Sequence, residues 1–168
     1  MKCETCKRKC EFAIDGGECE GIMQYFIGID PGTSGGIGIV DSNGLVVNTF
    51  KFKDATFADI SEMFEYVSQL DGQVFAMLEQ VHAMPKQGVS STFKFGQSYG
   101  FLEGMLVAHK IAYEHVTPQK WQKAIGCLSK GNKNVTKQMA QQLWPSWKFT
   151  HANADATLIA EYCRRVKK

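Results

Sequence analysis

Three carboxylates and a histidine stand where apolar segments of this chain stop. Asp30 ends the run Tyr25-Phe26-Ile27-Gly28-Ile29 and leads directly into Pro31-Gly32-Thr33-Ser34-Gly35-Gly36. Glu79 ends Val74-Phe75-Ala76-Met77-Leu78 and is followed by a loop rather than a polar helix. His151 and Asp155 lie four residues apart in His151-Ala152-Asn153-Ala154-Asp155. Acids carried by separate elements suit divalent ions bound through oxygen, and carboxylate and water are the ligands that Mg²⁺ and Mn²⁺ prefer. Two such ions roughly 4 Å apart can activate a water and stabilise the leaving oxygen of a phosphodiester, which is nuclease chemistry. Plainer roles are open for each acid alone: Asp30 can hydrogen-bond its own turn, and Asp155 is favoured electrostatically near a helix N-terminus.

The elements that must position these groups follow from pattern. The run ending at Asp30 is apolar on both faces, as in a doubly covered strand, and Gly36-Ile37-Gly38-Ile39-Val40-Asp41 resumes as a second strand after a glycine-rich turn. Residues 45–52 predict a third strand, 56–69 a helix, 74–79 a strand, 90–109 a helix and 111–116 a strand, followed by three helices. The penultimate helix spans Thr136 to Leu143 and stops at Trp144-Pro145. The last carries Leu158, Ile159, Tyr162, Cys163 and Val166 at helical spacing. If it already includes His151, then His151 and Asp155 share one face a turn apart; if Asn153 is the N-cap, the two can still converge.

At this point the chain resembles the RuvC family of Holliday junction resolvases, and within it the phage and prophage branch. The matching pieces run from Phe26-Ile27-Gly28-Ile29-Asp30-Pro31-Gly32-Thr33-Ser34-Gly35-Gly36 through Leu78-Glu79-Gln80-Val81 and Gly96-Gln97-Ser98-Tyr99-Gly100. They continue with Val116-Thr117-Pro118-Gln119-Lys120-Trp121, then Ala154-Asp155-Ala156 and Leu158-Ile159-Ala160-Glu161-Tyr162, so that together they cover residues 25 to 168. The resemblance implies an α/β, ribonuclease H-like fold with a mixed five-stranded sheet flanked by helices. It also implies a homodimer that cuts branched DNA, Holliday junctions above all and forks or flaps besides, in symmetric pairs of strands. Asp30, Glu79 and Asp155 match the family's first, second and last acids. The remaining ligand position, Asp or His in this family, falls on His151, although Ala152 occupies one of the places where a ligand is expected; Asn153 is a weaker candidate, as neutral ligand or cap. Two Mg²⁺ or Mn²⁺ ions per site are implied.

The resemblance also places catalytic lysines in the acid-free stretch Thr117 to Lys137, which carries Lys120, Lys123, Lys130, Lys133 and Lys137. Lys130, Lys133 and Lys137 are the candidates for assisting the leaving oxygen, with Lys133 and Lys137 assigned to catalysis and Lys120, Lys123 and Lys130 to phosphate contacts. A solvated charged face is the plainer alternative. After Glu79, the segment 81–88 reads as a mobile loop presenting His82 and Lys86 to DNA. Gly96 and Gly100 on the 90–109 helix allow close helix contact, so this helix resembles the family's dimerisation helix or is an ordinary core helix. Phe93 and Phe95 read as packing residues ahead of base-stacking ones.

Composition bounds these readings. The 168 residues make one domain of ordinary size, 44% hydrophobic, with a formal charge of only +2, so charge distribution matters more than the sum. No apolar span crosses a membrane and the first 20 residues lack an apolar leader, which predicts a cytoplasmic protein, in a bacterial host cell if phage or prophage encoded. Residues 1–23 form a separate Cys-rich extension preceding a nuclease domain at 24–168. There Cys3, Cys6, Cys10 and Cys19, spaced C-x2-C-x3-C-x8-C beside Lys7, Arg8 and Lys9, can hold one structural Zn²⁺ as a knuckle. A tail of reduced thiols is the alternative, and disulfides would require export. Cys127 and Cys163 read as core residues.

Two other functions compete. The Asp30 turn also looks like the first phosphate loop of the actin, sugar-kinase and heat-shock ATPase group, but those proteins close two such domains around a nucleotide and this chain shows no second glycine-rich loop. A non-catalytic junction-binding module is the other, and the presence of all three main acids argues against it.

Overall fold

The structure, a computed structural model, describes residues 22–81, 88–129 and 131–167, with no account of the Lys133 side chain. The Cys-rich extension, with Cys3, Cys6, Cys10 and Cys19, therefore lies outside the described residues, as do His82, Lys86 and Lys130. Five strands, β1 (Gln24–Asp30), β2 (Gly36–Asp41), β3 (Val46–Lys51), β4 (Gln73–Glu79) and β5 (Ala112–Val116), form one sheet in the order β3-β2-β1-β4-β5. β1 to β3 are antiparallel, whereas β4 and β5 run parallel to β1. The five-stranded mixed sheet flanked by helices is the architecture expected from the sequence.

The helices are α1 (Phe57–Ser68), α2 (Val89–Ala108), α3 (Pro118–Ile125), α4 (Lys133–Leu143) and α5 (His151–Lys167). Local chemistry sets their ends. Thr56 and Asp59 form a reciprocal capping box at α1, the Asp59 N–H donating to Thr56 Oγ1 at 3.2 Å and the Thr56 N–H to Asp59 Oδ2 at 2.7 Å. Pro118 opens α3, and Gly126 closes it at φ 88°. α4 begins at Lys133, three residues before the start predicted from sequence, because the Asn132 side chain accepts the Asn134 N–H at 3.1 Å and caps an otherwise polar turn.

The sheet is covered on both faces. On one, α1 and α2 pack Ile60, Phe64, Val67, Leu102 and Leu106 against Ile27, Ile29, Ile37, Ile39 and Leu78. On the other, α3, α4 and α5 pack Trp121, Ile125, Ala140, Trp144, Leu158 and Ile159 against Phe26, Val40 and Met77. Cys127 and Cys163 are buried free thiols in this second layer, as expected.

α5 crosses the middle of the sheet at backbone contact. A Cβ on Gly28 of β1 would stand 2.1 Å from the Ala156 carbonyl oxygen and 2.3 Å from the Ala160 nitrogen, and one on Gly38 of β2 would stand 2.5 Å from Thr157 Cα. Only glycine admits the helix this close. α2 is different: only Leu102 and Leu106 are buried, and open space surrounds Gly96, Gly100 and Gly104.

Gly28→Ala is accordingly expected to destabilise the chain by about 3 kcal/mol through overpacking against backbone that cannot yield. Gly96→Ala should be neutral or gain up to about 1 kcal/mol from helix propensity. Equal effects of the two changes in denaturant unfolding would contradict the packing of α5.

Candidate metal centre and nucleic-acid site

Strand register brings the first two acids together. β1 pairs with β4 in parallel up to Ile29 opposite Leu78, so Asp30 and Glu79 follow side by side at the same edge of the sheet. Side chains alternate across a strand, and both acids point to the α5 face. Asp155 joins them from the second turn of α5.

Asp30 is held by its own turn. Its Oδ1 accepts the Gly32 N–H at 3.0 Å, the Gly35 N–H donates to the Gly32 carbonyl at 2.8 Å, and the Phe52 N–H donates to the Gly35 carbonyl at 3.0 Å. A Cβ on Gly35 would lie 2.8 Å from the Asp30 carboxyl carbon, so the turn must stay bare at this point. The turn-bonding role considered for Asp30 is thus real, and it orients the carboxylate rather than replacing its chemistry.

Glu79 is 9% exposed, and its Oε1 accepts the indole N–H of the fully buried Trp121 at 2.7 Å. Burial pushes its carboxyl up to about 7, the neighbouring charges of Asp30 and Asp155 add to the rise, and the Trp121 hydrogen bond opposes it. Three acids therefore share one region, and the charges of Asp30 and Asp155 raise the cost of ionising Glu79.

Asp30, His151 and Asp155 line one open recess of about 600 Å³, with Thr33, Ser34, Gly35, Thr150 and Ala152, and Glu79 is buried beside it. His151 is the first residue of α5, so the helix includes it and places it one turn before Asp155. Ala152, in one of the places where a ligand is expected, brings no donor side chain. Asn153 is the third residue of the helix and not its N-cap; its Oδ1 accepts the Thr150 N–H at 2.7 Å and hydroxyl at 2.9 Å from the residue before the helix, and its amide donates to Thr49 at 3.3 Å.

The recess also carries lysines of its own. The recess is lined by Lys51, at the end of β3, and by Lys53 just beyond it, neither of which was singled out. Their signal was the alternation Phe50-Lys51-Phe52-Lys53: the two phenylalanines face the α1 and α2 layer, which turns Lys51 to the side of the acids. Lys120 and Lys123 on α3 are exposed, and Lys137 on α4 is half-buried, but none of the three lines the recess, and Lys133 opens α4. Phe93 is 73% exposed, contrary to its expected packing role, whereas Phe95 stands 6.0 Å from the Tyr99 ring. The Trp121 bond to Glu79 was also missed, since nothing local links residues 42 apart.

The chain overlays Thermus thermophilus RuvC at a TM-score of 0.60 and 15% identity, covering 87% of this chain and 97% of that one. The fold is that of RuvC. T. thermophilus RuvC in complex with a Holliday junction substrate matches at a TM-score of 0.59 and 13% identity, over 86% of this chain and 96% of that one. No protein-family model and no curated protein sequence matches the chain.

The donors are of the kind that divalent cations prefer, carboxylate oxygens from Asp30, Glu79 and Asp155 with the His151 ring nearby. Among the described residues no three of His, Cys, Asp and Glu are grouped closely enough to hold a single ion together. The charges of Asp30 and Asp155 that raise the Glu79 carboxyl are ones that a divalent cation would counter.

The raised Glu79 carboxyl fixes a pH signature for the metal-free protein. Below its ordinary value of 4.5 both folded and unfolded chains hold the proton; between 4.5 and about 7 only the folded chain does; above that the full cost, about 3 kcal/mol, weighs on the folded state. Glu79→Gln in chelator should match wild type at pH 4 and exceed it in stability at pH 8. A stability difference that does not vary with pH would contradict this burial.

Proposed function

We propose that this chain is a metal-dependent endonuclease that resolves Holliday junctions and related branched DNA by paired phosphodiester hydrolysis. The convergence of Asp30, Glu79 and Asp155 at one sheet edge, in the fold of RuvC, carries this reading. Asp30, Glu79, Asp155 and His151 would hold two Mg²⁺ or Mn²⁺ ions. When bound, these supply a water nucleophile of lowered pKa and positive charge at the leaving oxygen.

The chain's own groups prepare the site. Gly32 fixes the direction of the Asp30 carboxylate, and Trp121 fixes that of Glu79. Glu79, which still binds its proton near pH 7, must release it to become a ligand, so cleavage is expected to weaken as the pH falls below that value. Lys133 and Lys137 on α4 would assist the leaving oxygen, and Lys120, Lys123, Lys130 and Lys86 would contact phosphates around the site.

A second copy of the chain completes the reading, because symmetric cuts need two sites. α2 supports it: Val89, Phe93 and Val107 are exposed on a 20-residue helix whose three glycines meet open space. The Zn²⁺ knuckle at Cys3, Cys6, Cys10 and Cys19 remains part of the proposal as an extension ahead of the nuclease domain.

A labelled four-way junction and the matching linear duplex, each with Mg²⁺ or chelator, test the reading. Wild type should make paired cuts in the junction alone and only with metal, and Asp30→Asn should lose at least about 100-fold in rate while still binding. Junction binding without cutting would establish a binding module instead, and no binding would return the Asp30 turn to the phosphate-loop reading.

A further inference from the structure

The recess has two walls of opposite charge. Asp30 and Asp155 supply the charge of one, and Lys51 and Lys53 that of the other. The register places them without freedom: Asp30 pairs with Gly36, and Gly36 pairs with Lys51, so one row across three strands reads acid, bare backbone, lysine. Adjacent strands are about 4.8 Å apart, which sets the Lys51 backbone roughly 10 Å from that of Asp30. Gly36 between them contributes no side chain, and none would fit, since a Cβ there would lie 2.1 Å from the Phe50 carbonyl oxygen and 3.2 Å from that of Ala152. Both lysines are exposed, and neither enters an ion pair among the described residues.

Lysines placed to offset the site's acids would have been drawn against them. These two instead face the acids across an open space, where an anion that approaches metal-bound carboxylates also needs a cation on its outer side. A lysine ammonium on a flexible four-carbon stem suits a phosphate approached from a variable direction. We infer that Lys51 and Lys53 form a phosphate-binding subsite that holds the cleaved strand by a phosphodiester flanking the scissile one, on the β3 side of the acids and apart from the basic residues of α3 and α4. The inference rests on the nuclease reading for the identity of the strand. The lysines are positioning residues: they set the scissile bond over the acids without touching the reacting atoms.

The test measures junction affinity against salt in chelator and single-turnover cutting in Mg²⁺, for wild type, Lys51→Ala/Lys53→Ala and Lys51→Arg/Lys53→Arg. Lys110→Ala serves as the control, because Lys110 lies just before β5 at the end of the sheet away from Glu79. The double alanine variant should lose roughly 1 unit of salt slope per lysine and cut about tenfold more slowly, with arginine restoring the slope. A neutral methylphosphonate beside the cut should weaken wild type but add nothing to the loss in the double alanine variant. Unchanged slope and rate, or additive losses with the methylphosphonate, would overturn the subsite while leaving a cutting wild type as a nuclease. Should wild type bind without cutting, the nuclease reading fails, and the salt slope in chelator still decides whether the two lysines hold phosphate.

Discussion

The seating of α5 directly on the backbone of β1 and β2 is the constraint on which the site depends. At Gly28 and Gly38 the sheet has no side chains under the helix, and Ala156 and Thr157 occupy the space that a Cβ would need. The helix is consequently buried along most of its length, at every position from Asn153 to Cys163 except Asp155, which is half-buried. That contact fixes its height over the sheet and its rotation, and these deliver Asp155 to the edge where β1 and β4 end in acids. Packing density this high transmits small displacements. A helix lifted by one methyl group would carry Asp155 away from Asp30, so the fold's tightest packing and its chemistry are one feature.

Electrostatics works in the opposite sense. Glu79 is buried, close to two other carboxylates, and the Trp121 indole offsets only part of the resulting penalty. Elsewhere the protein compensates buried charge well: Glu161 takes hydrogen bonds from Arg164 at 2.7 and 2.9 Å and from Arg165 at 2.8 Å. The contrast separates a structural acid, whose burial is answered by two guanidinium groups, from Glu79, whose burial is answered among the described residues by a single indole N–H. Local destabilisation of this kind is characteristic of functional sites. The charges that act on Glu79 are those of Asp30 and Asp155, and the Lys51 and Lys53 ammonium groups are not among them.

Much of this was legible in the sequence because the signals were local. Apolar runs that end in Asp30 and Glu79 identify strands and candidate ligands at once, and Pro145 marks the stop of the penultimate helix by known chemistry. His151 and Asp155 were readable as a pair at helical spacing. What escaped depended on tertiary register. Gly28 and Gly38 look like weak points in strands until the helix above them is known. Lys51 carries no local mark of function, whereas the acid-free stretch around Lys130 draws attention by composition alone. Trp121 and Glu79 meet only because β5 and α3 return the chain to the end of β4. Asn132, a cap three residues ahead of the predicted start of α4, was hidden in a polar loop sequence.

The most direct measurement of the central claim is thermal unfolding of the chelator-treated protein titrated with Mn²⁺ at pH 8 and at pH 6, for wild type and Asp155→Asn. Ions that bind the folded acids raise Tm by mass action, and they must displace the Glu79 proton at the lower pH. A saturable rise in wild type, larger at pH 8 and largely lost in Asp155→Asn, is the predicted result. A Tm that millimolar Mn²⁺ leaves unmoved at pH 8 would contradict the account, since the three carboxylates would then have converged without forming a metal site.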